Sequence, residues 1–129
     1  MSEHRPNRHS PLRALLVDDD PEVRSVIKDS LETLGFEVLE ASNGFQAIQL
    51  VLLENPDFHI AVSDFRMPKM NGVETLTALR ALRPGLKSIL CSGNTEWECL
   101  HGQTLQDCVY LGKPFGINDL DAAVNLALG

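Results

Sequence analysis

The feature that most constrains the fold is a regular alternation of short apolar runs with longer amphipathic segments. The apolar runs, at residues 12–17, 37–41, 59–63, 87–91 and 108–111, have the length and composition of strands. Each is followed by a stretch with helical periodicity, at 21–34, 45–54, 72–83, about 95–103 and 120–128. Such an alternation predicts crossover helices and a parallel sheet covered on both faces. The doubly wound strand order 2-1-3-4-5 suits five strands.

Capping and turn residues support these boundaries. Asp20 is a plausible N-cap with Pro21 at the first helical position, and Gly35 ends that helix. Helical spacing predicts a buried stripe on each of the first two helices, made of Val23, Val26, Ile27, Leu31 and Leu34 in the first and Phe45, Ile48, Val51 and Leu52 in the second.

Composition narrows the class of protein. The chain has 129 residues, 43% of them apolar, which predicts one globular domain at 12–129 after a mobile polar tail at 1–11. It has neither an apolar run long enough to span a bilayer nor an evident secretory signal, so we expect a cytoplasmic protein without a membrane partner. A net charge of −7 argues against direct binding of nucleic acid. The three cysteines have no CxxC spacing and are expected to be reduced thiols.

Polar residues follow four of the predicted strands. Asp18 and Asp19 follow the first strand, Asp64 the third, Ser92 the fourth and Lys113 the fifth. Because parallel strands end at one edge of the sheet, these side chains should share one rim. Carboxylates a few ångströms apart repel by about 4 kcal/mol per pair at an effective dielectric near 20, so a cation is needed. Oxygen ligands without His or Cys favour Mg²⁺, or Mn²⁺, over Zn²⁺.

This set of groups suits phosphoryl transfer to a carboxylate. The carboxylate attacks phosphorus, while the metal and the lysine neutralise the phosphoryl oxygens and the hydroxyl donates a hydrogen bond to one of them. The product would be an aspartyl phosphate.

The sequence resembles a response-regulator receiver domain, the CheY-like family of two-component phosphorelay systems, over about residues 12–128. The resemblance is carried by LLVDDDP, SDFRMPKMNG, Ser92 after an apolar strand, and Lys113-Pro114-Phe115. It implies a flavodoxin-like (βα)5 fold and a cis Lys113–Pro114 bond. It further implies these roles: Asp64 as phosphoacceptor; Asp18, Asp19, Asp64 and the Arg66 backbone carbonyl as Mg²⁺ ligands; Ser92 and Tyr110 as switch residues; and Lys113 as the catalytic lysine.

The resemblance also implies a signalling switch and not an enzyme acting on outside metabolites. A histidine kinase or histidine phosphotransfer protein would donate the phosphoryl group from a phosphohistidine. The face built from the fourth predicted helix, the fifth strand and the fifth helix would then change shape for a downstream protein target, and it is also a candidate homodimer surface. The initiating Met1 favours a stand-alone regulator over a receiver cut from a larger protein.

Several alternatives remain open at this point. Asp18 and Asp19 could serve only as helix caps, Asp64 and Ser92 as turn formers, Lys113 as a surface residue, and Tyr110 as a core residue with a hydrated hydroxyl. The chain could be a receiver-fold interaction module that is never phosphorylated. A phosphatase of the haloacid dehalogenase type would place its nucleophile on the first strand, but Glu22 departs from that pattern. Arg66, long and cationic, could alter the lifetime of the phosphorylated state.

Overall fold

The computed structural model describes residues 12–54, 57–93 and 105–129. Its strands are β1 (Leu12–Val17), β2 (Phe36–Ala41), β3 (Ile60–Asp64), β4 (Lys87–Gly93) and β5 (Cys108–Lys113). Its helices are α1 (Pro21–Thr33), α2 (Gly44–Glu54), α3 (Gly72–Leu82) and α4 (Ile117–Leu128). The predicted tail at 1–11 and the predicted helix at about 95–103 lie outside the described residues.

All strand pairings are parallel, and the sheet has the order β2-β1-β3-β4-β5. The predicted doubly wound architecture is therefore confirmed. Val17, the last residue of β1, is level with Ser63 of β3, and Asp64 is level with Cys91 of β4. On the other side of β4, Gly93 is level with Lys113. The carboxyl ends of the strands thus form one rim, as the sequence predicts.

Three strands extend further than the sequence pattern indicated. Asp64 is itself the last residue of β3, Ser92 lies within β4, and Lys113 is the last residue of β5. Glycine weakens strand propensity, so the pattern ends before Gly93 and Gly112. Pairing between the two strands nevertheless continues to Ser92–Gly112 and Gly93–Lys113. The functional candidates of β4 and β5 are therefore on the sheet and not in the loops after it.

A hydrophobic core lies on each face of the sheet. One core contains residues of α1 and α4, including Ile27, Leu31, Leu120 and Val124. The other contains residues of α2 and α3, including Ala47, Val51, Leu76 and Leu79. The helices of the described residues therefore cover both faces, and none of them is long and apolar enough to cross a membrane.

The predicted buried stripe of α2 is wrong at two positions. Phe45 is 52% exposed and Leu52 is 59% exposed, whereas Ala47 and Val51 are fully buried. A side chain on Gly44 would collide with Met70 and Thr75, so α2 turns its small residues toward α3. Because α2 is apolar on nearly every side, its periodicity could not identify the buried one. In α1, Val26 is likewise exposed, at 65%.

Candidate functional site

Three carboxylates meet at the rim of the sheet. Asp18 and Asp19 follow β1, and Asp64 ends the neighbouring strand β3. Each offers a carboxylate oxygen, and these three atoms lie within 4.8 Å of one another. Asp18 and Asp64 are buried, at 2% and 7% exposure, and Asp19 is exposed. Their mutual repulsion in this partly desolvated position requires positive charge nearby.

Lys113, the last residue of β5, supplies one positive charge. Its Nζ donates a hydrogen bond to Oδ1 of Asp64 over 2.6 Å. Burial by itself lowers the pKa of Lys113, but the hydrogen bond to Asp64 and the nearby negative charges outweigh burial and raise the pKa. The lysine is therefore a protonated partner of Asp64 at neutral pH.

Asp18 holds the second buried carboxylate. Its Oδ1 accepts a hydrogen bond from the Asp20 N–H at 2.9 Å, while its buried Oδ2 has no hydrogen-bond partner. Burial raises the pKa of this carboxyl group, the hydrogen bond from Asp20 opposes that effect, and the charge of Asp64 adds to it. A buried oxygen without a partner beside two further carboxylates fits a hard divalent cation such as Mg²⁺ or Mn²⁺.

These residues line one open cleft of about 480 Å³. Besides the three acids and Lys113, its wall includes Arg66, Met67 and Pro68 from the loop after β3. Met67 is packed in the core, whereas Arg66 is exposed. The loop returns closely to the strand, because the Gly72 N–H donates to the Phe65 carbonyl over 2.8 Å. Asn71 and Glu74 then cap α3 reciprocally.

Ser92 and Tyr110 do not belong to the lining of this cleft. Ser92 is fully buried one position beyond Cys91, the register partner of Asp64, and its Oγ donates to the Gly93 carbonyl at 3.3 Å. The Tyr110 side chain is at the surface with 36% exposure. Its hydroxyl oxygen accepts a hydrogen bond from the Leu105 N–H at 2.9 Å. The structure therefore gathers Asp18, Asp19, Asp64, Arg66 and Lys113 at one cleft, with Ser92 on the adjacent strand and Tyr110 further away.

Residues 14–125 match the family model for the response regulator receiver domain. The chain belongs to this family. The receiver assignment made from the residue motifs is thus confirmed, and so is the cis Lys113–Pro114 bond that the resemblance implied.

Relatives and solved structures agree with this assignment. The transcriptional regulatory protein CpxR of Escherichia coli K12 is 36% identical over 116 residues, covering 90% of this receiver chain and 49% of CpxR. Sporulation initiation phosphotransferase F of Bacillus subtilis is 26% identical over 113 residues, covering 87% of this chain and 90% of that protein. The crystal structure of a response regulator receiver protein from Sinorhizobium medicae has a TM-score of 0.83 at 25% identity, covering 93% and 96% of the two chains.

The chain spans about half the length of the CpxR proteins that it matches. The activity of the full-length CpxR proteins is therefore not assigned to this receiver domain.

Neither described cysteine of the receiver domain forms a disulfide. Burial raises the pKa of the Cys91 thiol to about 12 and that of Cys108 to about 11. Both thiols are therefore protonated at neutral pH, which disfavours them as metal ligands or nucleophiles. Cys99 lies outside the described residues.

Arg24 was not among the predicted site residues, yet its guanidinium donates to the Asp18 carbonyl at 2.7 Å. A weak signal was available, because Arg24 lies in the first turns of α1, where the helix dipole disfavours cations. A cation at such a position is expected to have another partner. The identity of that partner, however, depends on the tertiary structure.

Proposed function

We propose that this receiver domain is a phosphorylation-dependent signalling switch in which Asp64 accepts a phosphoryl group. The proposal is carried by one juxtaposition: three carboxylate oxygens within 4.8 Å of one another, with the Lys113 ammonium 2.6 Å from Asp64. A merely capping or turn-forming role would explain each acid separately. It would not explain why acids from two strands and a lysine from a third share one cleft.

The donor in this proposal is a phosphohistidine on a histidine kinase or a histidine phosphotransfer protein. A carboxylate oxygen of Asp64 forms the new O–P bond as the P–N bond breaks, and the imidazole leaves with the electron pair of that bond. Asp64 faces an open cleft, which gives an in-line donor access to it. The Lys113 ammonium is positioned to neutralise negative charge that develops beside Asp64.

Asp18, Asp19, Asp64 and the Arg66 backbone carbonyl are the residues that would hold Mg²⁺, with Mn²⁺ meeting the same requirements. The bound ion supplies Lewis-acid stabilisation of the phosphoryl oxygens. The unpartnered Oδ2 of Asp18 and the all-oxygen set of side chains support this choice. Water completes the coordination shell of Mg²⁺ in sites with few protein ligands.

In this proposal, Ser92 and Tyr110 transmit the conformational change that follows phosphorylation of Asp64. The Ser92 hydroxyl exchanges its bond to the Gly93 carbonyl for one to the phosphoryl group, and Tyr110 leaves its bond with Leu105 for the space that is vacated. Two charge-assisted hydrogen bonds, from Ser92 and Lys113, contribute about 3–6 kcal/mol. Carrying a two-state element from 1:99 to 99:1 requires about 5.5 kcal/mol, so the switch is feasible with a residual active population before phosphorylation.

The output in this proposal is the face formed by the predicted helix at about 95–103, β5 and α4. It would contact a downstream protein target or a second copy of the chain. The domain acts on itself, as acceptor and through its own dephosphorylation, and not on an outside metabolite. We place this exchange between proteins in the cytoplasm, without direct contact to nucleic acid or membrane.

The test is exposure of the purified chain to Mg²⁺ and phosphoramidate, a small donor with a P–N bond, followed by intact-mass measurement. We expect the mass to increase by one phosphoryl group, and EDTA to prevent the increase. Asp64→Asn should remain unmodified. Asp29→Asn, which removes an exposed carboxylate of α1, is the matched control and should be modified like the parent chain.

An unchanged mass with Mg²⁺ and donor present would contradict the proposal and favour an interaction module that is never phosphorylated. Continuous hydrolysis of a phosphomonoester by both the parent chain and Asp64→Ala would instead indicate the phosphatase alternative. Phosphotransfer profiling against candidate kinases, with Asp64→Ala as control, would then identify the physiological donor.

A further inference from the structure

We infer that Arg24 is a positioning residue for the cation site, acting through the backbone of Asp18. This inference rests on the proposed function, because it concerns the Mg²⁺ affinity of the same acidic cluster. It starts from the two hydrogen bonds of the Arg24 guanidinium. Nη1 donates to the Asp18 carbonyl at 2.7 Å, and Nε donates to Oε1 of Glu40 at 3.0 Å.

These bonds connect three elements. Arg24 lies on α1, Asp18 in the loop that carries two of the acids, and Glu40 on β2. The same peptide region is held from the other side, because the Asp18 N–H donates to the Ala41 carbonyl at 3.1 Å. Glu40 is the residue before Ala41, so both attachments of Asp18 lead to the end of β2. The backbone on either side of the Asp18 side chain is therefore fixed.

Fixing this backbone determines where the Asp18 and Asp19 carboxylates lie. The Asp18 carbonyl that receives Arg24 belongs to the peptide group between Asp18 and Asp19. Rotation of that peptide would move both carboxylates relative to Asp64 and separate oxygens that now lie within 4.8 Å. Bringing them together against their repulsion has a free-energy cost, and a loop held in place before the cation arrives reduces it.

The environment of Arg24 favours this geometric role. Its side chain is only 19% exposed, and its bond to the Asp18 carbonyl is partly buried, whereas its bond to Glu40 is exposed. Its two hydrogen bonds go to the Asp18 backbone carbonyl and to the Glu40 carboxylate, and neither goes to a carboxylate of the acidic cluster. Arg24 is thus expected to act by holding the loop and not by neutralising the carboxylates.

The chain contains a matched control for this pair. Arg13 on β1 makes an equivalent ion pair with Glu37 on β2, with 2.9 Å between Nε and Oε1. That pair is more exposed, at 41% and 51%, and lies near the opposite end of the same two strands. Arg13→Met and Arg24→Met each remove one guanidinium and keep a comparable stem. Only Arg24→Met removes a bond to the acidic loop.

The experiment is isothermal titration calorimetry of Mg²⁺ into the parent chain, Arg24→Met, Arg24→Lys and Arg13→Met, with urea unfolding in EDTA to compare their stabilities. We expect Arg24→Met to raise the Mg²⁺ Kd about tenfold, the lower end of what loss of an outer-shell partner costs. Arg24→Lys should recover only part of this loss, since one ammonium lacks the planar fork that reaches both acceptors. Arg13→Met should leave the Kd unchanged.

A parent-like Kd for Arg24→Met would overturn the inference, whatever stability that variant loses. If Arg24→Met does not fold in EDTA, Arg24→Lys takes its place, and a parent-like Mg²⁺ Kd for that variant would overturn the inference. Amide exchange provides a second readout, and the Asp18 and Asp20 amides should exchange faster in Arg24→Met than in Arg13→Met. If the parent chain itself neither binds Mg²⁺ nor accepts a phosphoryl group, the proposed function fails, and this result is distinguishable from failure of the inference alone.

Discussion

The Asp18 carboxyl group is buried in a position that opposes its own ionisation. Burial, with the neighbouring negative charges, raises its pKa above the ordinary value of 3.8. One of its oxygens has no hydrogen-bond partner. Such a group stabilises the folded chain less when it is charged than when it is neutral. A bound cation would reverse this preference, so the same burial that disfavours the charged carboxylate would favour binding of the proposed Mg²⁺.

Asp18→Asn tests this conflict through the pH dependence of stability. Because folding raises the Asp18 pKa, its favourable contribution is complete below the unfolded-state value and is lost as pH rises through the folded-state value. In EDTA, Asp18→Asn should therefore gain stability relative to the parent chain as pH rises toward 7. We expect a gain within the roughly 0.5–2 kcal/mol of typical stabilising substitutions, measured by urea unfolding.

The same variant should bind Mg²⁺ poorly, since it lacks one anionic ligand. Asp29→Asn, on an exposed part of α1, controls for the change in net charge. A difference between Asp18→Asn and the parent chain that did not vary with pH would contradict the assignment of this effect to Asp18.

Among the secondary-structure elements, α3 begins at a tightly packed residue, Gly72. A Cβ on Gly72 would collide with the backbone carbonyl of Asp64 and lie 2.5 Å from Leu90 Cδ1. Neither the backbone of β3 nor a fully buried leucine can move freely. The start of α3 therefore lies directly against the strand end that carries the phosphoacceptor candidate.

Gly72→Ala should destabilise the fold by about 1–3 kcal/mol, as overpacking does, although alanine is the better helix former. It should also slow modification of Asp64 by displacing the end of β3. Gly85→Ala is the control, because a Cβ there meets nothing within 4 Å. Equal unfolding midpoints in urea for the two variants would show that the Gly72 contact does not restrict the chain.

The orientation of α2 predicts that two neighbouring apolar residues contribute unequally to stability. Val51 is fully buried and Leu52 is 59% exposed, although both are large apolar residues of one helix. Val51→Ala should cost roughly 2 kcal/mol through lost burial and the cavity left behind. Leu52→Ala should change the unfolding free energy by about 0.5 kcal/mol or less. If chemical denaturation gave the opposite order, Leu52 and not Val51 would face the core.

At the level of the entire domain, the proposed Mg²⁺ site would connect metal binding to global stability. Asp18 and Asp19 follow β1 and Asp64 ends β3, and these two strands are adjacent in the middle of the sheet. A cation held between them binds the folded chain but has no such site in the unfolded one. Binding must therefore raise the free energy of unfolding by mass action.

Mg²⁺ at ten times its Kd should add about 1.4 kcal/mol to the free energy of unfolding. The measurement is urea unfolding across a Mg²⁺ series, with KCl holding ionic strength constant. Asp19→Asn should reduce the increment, because it removes a ligand from an exposed position without disturbing the core. An increment of equal size in Asp19→Asn would point to a nonspecific ionic effect on a chain of net charge −7.

The sequence alone determined the strand order, the rim and the identity of the acids and the lysine. These follow from local periodicity and from the rule that parallel strands end together, so they do not require knowledge of side-chain contacts. The sequence also carried the motifs that indicate the family. It overestimated the burial of Phe45, Leu52 and Val26, because local periodicity does not reveal which apolar side chains meet a neighbouring element.

Only the tertiary structure decided the contacts between elements that are distant in the chain. The Lys113–Asp64 pair joins residues 49 apart, and Arg24 bridges Asp18 and Glu40 from a third element. It also showed that Oδ2 of Asp18 is buried without a partner and that Gly72 has no room for a side chain. Such features depend on differences of a few tenths of an ångström in the distances between packed elements, and residue patterns along a chain do not encode these differences.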